Sequence, residues 1–131
     1  MPLSRPALLL RTSSRAVQDA RVWVRAACKE IERTDLIECA EFGVSELVSN
    51  ALFHGTAPVT IRMRGTVDHP RVEIRDGSTE PPLLPVPLAL DDEDEVLLTV
   101  GRGLSIVANV SEAWGADIDA SGKIVWFTPA A

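Results

Sequence analysis

The hydrophobic period of this chain changes between Ala51 and Val59, and that change limits its possible folds more than any other feature. From Val17 to Ala51 apolar residues recur every three or four positions, whereas from Val59 to Ile74 they alternate one by one. The first spacing lines one side of a helix, the second one face of a strand. A purely helical bundle and a purely β fold are both excluded.

The spacing predicts a first helix whose buried side carries Val17, Ala20, Val24, Ala27, Cys28 and Ile31. Ser13 or Ser14 is placed to cap its start, and Glu32-Arg33-Thr34 ends it. A second helix is expected from about Asp35, where Asp35 and Glu38 stand at capping-box spacing. Its core side is Leu36, Ala40, Val44, Leu47, Val48 and Ala51. It ends at His54-Gly55, with Gly55 as the expected C-cap and Pro58 shortly beyond.

Val59, Ile61 and Met63 then alternate with Thr60, Arg62 and Arg64; Val72 and Ile74 alternate with Arg71, Glu73 and Arg75. This reads as a hairpin with one face buried, closed by Asp76-Gly77-Ser78. Residues 7–11 suit a short first strand. A second hairpin is expected over 115–119 and 123–128, turning at Ala120-Ser121-Gly122. Between the hairpins, residues 79–100 hold no period and carry four of the nine prolines. A long irregular connection of this kind is usually functional. Gly101-Arg102-Gly103 then opens a third helix bearing Leu104, Val107, Ala108 and Val110. The order β-α-α-β-β-loop-α-β-β predicts an α/β (α+β) two-layer sandwich: a mixed, mostly antiparallel sheet with helices on one face. At 131 residues the chain reads as one domain, 1–131.

Charge narrows the function. The net charge is −6, but five of the nineteen acids form the run Asp91-Asp92-Glu93-Asp94-Glu95. Outside that run the balance is nearly neutral, and no basic cluster offers a face for direct nucleic-acid binding. No apolar stretch approaches the roughly 20 residues that span a bilayer, and the N-terminal apolar run is too short for a signal peptide. The sequence therefore reads as cytoplasmic. Cys28 and Cys39 make no metal pattern and read as reduced core thiols.

Three features carry chemistry. Glu46, Asn50 and His54 recur at four-residue spacing, a polar stripe beside the apolar side of the second helix. Asn is locally unfavourable inside a helix, so a role beyond helix formation is indicated. Asp76-Gly77 stands at a strand end, where a carboxylate can accept from an exocyclic amine and glycine lets a planar ligand approach the backbone. Gly101-Arg102-Gly103-Leu104 opens a helix, where free N–H groups favour an anion.

In this order the three motifs resemble those of the GHKL (Bergerat-fold) ATPase superfamily. The string Glu46-Leu47-Val48-Ser49-Asn50-Ala51-Leu52-Phe53-His54-Gly55 resembles its N-box. Trp114-Gly115 and Gly122-Lys123-Ile124-Val125-Trp126-Phe127 are similar to the closing hairpin of the bacterial anti-sigma-factor serine/threonine kinases of partner-switching systems. The resemblance implies that Asn50 coordinates Mg²⁺ and that Glu46 serves as general base. It implies that Asp76, next to Gly77, receives the adenine amino group. Gly101, Arg102, Gly103 and Leu104 would hold the phosphates under an ATP lid of about 79–100. His54 falls within the matching motif and is carried as a binding residue. Ile124 would stand beside the adenine, where many relatives carry Thr. On this reading Asp76→Asn weakens ATP binding while leaving the empty protein's stability almost unchanged. The implied partners are a sigma factor and a STAS-type anti-anti-sigma protein, with a homodimer possible. The implied activity is ATP-dependent phosphorylation of that small partner; the alternative is an ATP-binding anti-sigma module without kinase activity.

Overall fold

The computed structural model describes residue 3, residues 5–79 and residues 111–131. The change of period in the sequence becomes a change of layer. Apolar residues at helical spacing build α1 (Ala16–Glu30) and α2 (Ile37–His54), joined through a short 3₁₀ turn at Thr34–Leu36. Alternating residues build β2 (Val59–Gly65) and β3 (Pro70–Asp76). The short strand β1 (Leu8–Leu10) precedes the helices, and β4 (Ser111–Asp119) and β5 (Gly122–Pro129) close the chain.

The five strands run in the order β1-β2-β3-β5-β4, and all four pairings are antiparallel. The expected mixed, mostly antiparallel sheet is thus antiparallel throughout its described strands. The helices cover one face: α1 and α2 pack together, and α2 lies on β2, β3 and β5. Val24, Leu36, Val44, Val48, Val59, Ile61, Met63, Val72, Ile74 and Phe127 are almost fully excluded from solvent between the layers. Each such side chain contributes roughly 1.5–3 kcal/mol relative to exposure. The open face carries Arg62, Arg64, Arg71 and Arg75, with the Arg71 guanidinium 3.9 Å from the centre of the Trp126 ring. Among the described residues no helix is long and apolar enough to cross a membrane.

Two local expectations need correction. Neither Ser13 nor Ser14 caps α1: Arg15 occupies that position without a side-chain bond, and the Ser13 hydroxyl accepts from Arg15 N–H at 3.2 Å instead. The capping box at Asp35 and Glu38 does not form. The Arg33 guanidinium takes the Asp35 carboxylate as a fork, at 3.0 and 2.9 Å. It also donates to the Val67 and Asp68 carbonyls, tying the β2–β3 turn to the helical layer. Gly55 is the C-cap of α2 as expected, though with extended backbone, φ −100° and ψ −172°, so no left-handed conformation calls for glycine there. The left-handed residue is Glu32, φ 58°, just past α1. There Glu32 N–H reaches Lys29 O and Arg33 N–H reaches Cys28 O, the two bonds of a Schellman ending. The second hairpin begins earlier than expected, at Ser111. The third helix from Gly101, and all of the 79–100 connection after Thr79, lie outside the described residues.

Candidate functional site

The end of β3, with Asp76-Gly77, meets the end of α2, the helix that carries Glu46, Asn50 and His54. Glu46 and Asn50 lie one turn apart on the half-buried rim of α2. Among the described residues, no ion pair or side-chain hydrogen bond engages either one. The Asn50 amide and Glu46 carboxylate are thus uncommitted on the side of the helix leading to the junction. His54 continues the stripe but is exposed, its ring tilted against the neighbouring Phe53.

Asp76 is the last residue of β3 and only 2% exposed. A carboxylate so buried needs partners. Its Oδ1 accepts from Ser78 N–H at 2.7 Å and, at a long 3.5 Å, from Thr56 N–H. Its Oδ2 lies 3.5 Å from the Lys123 ammonium, itself 4% exposed. Register makes this pair: Asp76 stands directly opposite Lys123 on β5. Three glycines let the backbone close around the carboxylate. A Cβ on Gly55 would come within 2.6 Å of Asp76 Cγ and Oδ2. A Cβ on Gly122 would collide with the Asp76 carbonyl oxygen, and that residue also has φ 149°. Gly77 N–H donates to Thr56 O at 2.6 Å, and a Cβ on Gly77 would face the Thr56 and Ala57 carbonyls.

The structure also moves one expected residue. Ile124 pairs with Arg75, and with Thr60, Arg62, Glu73 and Arg75 it lines a pocket of about 160 Å³ on the open face. The side chain beside Asp76 is Lys123, one position earlier. The strand's alternation could have revealed this, because Lys123 shares parity with the core residues Val125 and Phe127 and Ile124 does not. Gly101, Arg102, Gly103 and Leu104 lie outside the described residues.

The junction can recognise a ligand group that donates a hydrogen bond, because Asp76 Oδ2 has one long contact and a lone pair to spare. A nucleobase amine fits that chemistry. A dedicated metal cage does not: among the described residues no group of three His, Cys, Asp or Glu side chains could hold an ion. A magnesium ion held chiefly by nucleotide phosphates and one amide oxygen is compatible with the uncommitted Asn50.

Comparison with known proteins gives two results. The profile of the histidine kinase-like ATPase domain family matches residues 10–128. Among solved structures, the histidine kinase AdeS of Acinetobacter baumannii is similar in fold, with a TM-score of 0.51 at 15% identity. That likeness covers 98% of this chain and 68% of the other. No curated protein sequence matches.

Proposed function

This chain belongs to the histidine kinase-like ATPase domain family, and on that premise we propose that it is a serine/threonine protein kinase of the anti-sigma-factor type. It binds Mg-ATP in the cytoplasm, phosphorylates a STAS-type anti-anti-sigma protein, and in its other state holds a sigma factor. Family membership implies ATP binding; the protein substrate and partner switching are our reading, drawn from the resemblance of the whole motif series.

The observation that carries the reading is the α2–β3 junction. A nearly buried carboxylate, Asp76, is wrapped by Gly55 of the same helical segment that presents Glu46 and Asn50 on its rim. Asp76 accepts the adenine amino group through Oδ2. Asn50 offers its amide oxygen to Mg²⁺. Glu46, one turn away, accepts the proton of the incoming serine or threonine hydroxyl. Bound Mg-ATP supplies the phosphoryl group and the charge that offsets its oxygens. Gly101, Arg102, Gly103 and Leu104 complete the site on sequence grounds. Positioning and charge neutralisation supply most of the catalysis in such transfers.

The test is calorimetry with Mg-ATP, followed by incubation with a panel of STAS-type proteins and mass spectrometry for phosphoserine or phosphothreonine. Glu46→Gln should bind ATP normally and transfer on the order of 10²-fold more slowly. Asn50→Ala should fail at Mg²⁺-dependent binding. Wild-type binding without transfer to any partner would make the chain an ATP-binding anti-sigma module instead.

A further inference from the structure

We propose that Lys123 reads the nucleobase: its ammonium donates to the ring nitrogen N1 of adenine, beside the amino group that Asp76 accepts. This rests on the reading of the α2–β3 junction as an ATP site.

Lys123 sits on the helix-facing side of β5, in register with Asp76 and one step beyond the core pair Ile74 and Val125. A lysine this buried is rare unless its charge is paired. Yet the ammonium has three donors, and among the described residues its one partner is Asp76 Oδ2 at 3.5 Å. Charge-assisted N–H···O bonds close to about 2.7–2.9 Å. The pair is therefore within Coulombic reach but short of a good hydrogen bond. Buried donors are satisfied in nearly every folded protein, so this one is short of an acceptor.

The acceptor it lacks can be read from its neighbour. Asp76 Oδ2 and Lys123 Nζ present an acceptor and a donor side by side. The edge of adenine that carries N6–H and N1 is a donor and an acceptor side by side, the direct complement. Guanine in the same pose reverses both, setting its O6 against the carboxylate and its N1–H against the ammonium. One buried pair would thus both bind adenine and reject guanine. A site built to hydrogen-bond a particular group rejects an analogue lacking it far more strongly than an apolar pocket does.

Equilibrium binding of Mg-ATP, Mg-GTP and the Mg complex of 1-deaza-ATP, in which N1 is replaced by C–H, tests this. Wild type should bind 1-deaza-ATP about tenfold or more weakly than ATP, and GTP more weakly still. Lys123→Met should bind ATP and 1-deaza-ATP alike while still disfavouring purine riboside triphosphate, which lacks the amino group facing Asp76. Equal wild-type affinity for ATP and 1-deaza-ATP would overturn the role of Lys123 alone, as would a surviving preference in Lys123→Met. Tighter ATP binding by Lys123→Met than by wild type would make the lysine an obstruction and also overturn it. If wild type binds none of the nucleotides, the ATP-site reading fails and this inference falls with it. Should Lys123→Met not fold, Lys123→Arg, which keeps a donor, should retain the preference, and the wild-type comparison decides by itself.

Discussion

The α-carbon of Gly55 lies against the carboxylate of Asp76, near enough that a methyl group there would stand 2.6 Å from Oδ2. The residue that follows α2 thus fixes how closely the end of β3 may approach. Gly55→Ala must push the carboxylate aside or lift the end of α2. We expect a loss of about 1–3 kcal/mol in stability, as for overpacked sites, and weaker ATP binding. Urea denaturation and calorimetry on the same sample check both effects.

Asp76→Asn removes the charge that the buried Lys123 ammonium faces. Reading Asp76 from the sequence as a ligand contact predicts an empty protein of nearly unchanged stability. The ion pair reverses that expectation, because removing one member of a buried pair strands the other charge. Apo stability should fall by about 3 kcal/mol, measured by chemical denaturation without nucleotide.

Gly43 lies mid-helix in α2 with the Phe127 ring packed on its α-carbon. Glycine to alanine inside a helix ordinarily gains about 0.5–1 kcal/mol. Here a methyl would overlap the ring, so Gly43→Ala should lose about 1–2 kcal/mol net. Adding Phe127→Leu should recover part of the loss in a double-mutant cycle.

Burial, reinforced by the Asp35 carboxylate, pushes the Cys28 thiol from 9.0 up to about 11. The unfolded chain therefore releases this proton before the folded one does. The stabilisation is complete below about pH 9 and is lost as pH rises from 9 towards 11. Denaturation curves across that window should show wild type losing more stability than Cys28→Ala. The same shift makes Cys28 slow to react with thiol reagents at neutral pH.

Where local pattern decides structure, the sequence was legible. The apolar stripes place α1 and α2, and the alternation places β2 and β3 to within a residue or two. What escaped depends on contacts between distant positions. Gly55 is conspicuous at a helix end, and capping is the local explanation for it. The actual reason is Asp76, brought there by the hairpin. The Asp35–Glu38 box has the right spacing but loses to the Arg33 fork, which also reaches the Val67 and Asp68 carbonyls. Lys123 lies on the helix-facing side and Ile124 on the open one, which the strand's alternation gives and a resemblance in residue type does not.

The strand order has a consequence for the span between β3 and β4. With β5 between them, β3 and β4 point the same way. The chain leaves β3 at Asp76, beside Lys123, and re-enters β4 at Ser111, beside Pro129, the far end of the same strand. The connection between them therefore has to return along the length of β5. A change of length in that connection leaves the pairing of β5 with both strands as it is, whereas any change at residues 101–104 reaches the residues assigned to the phosphates.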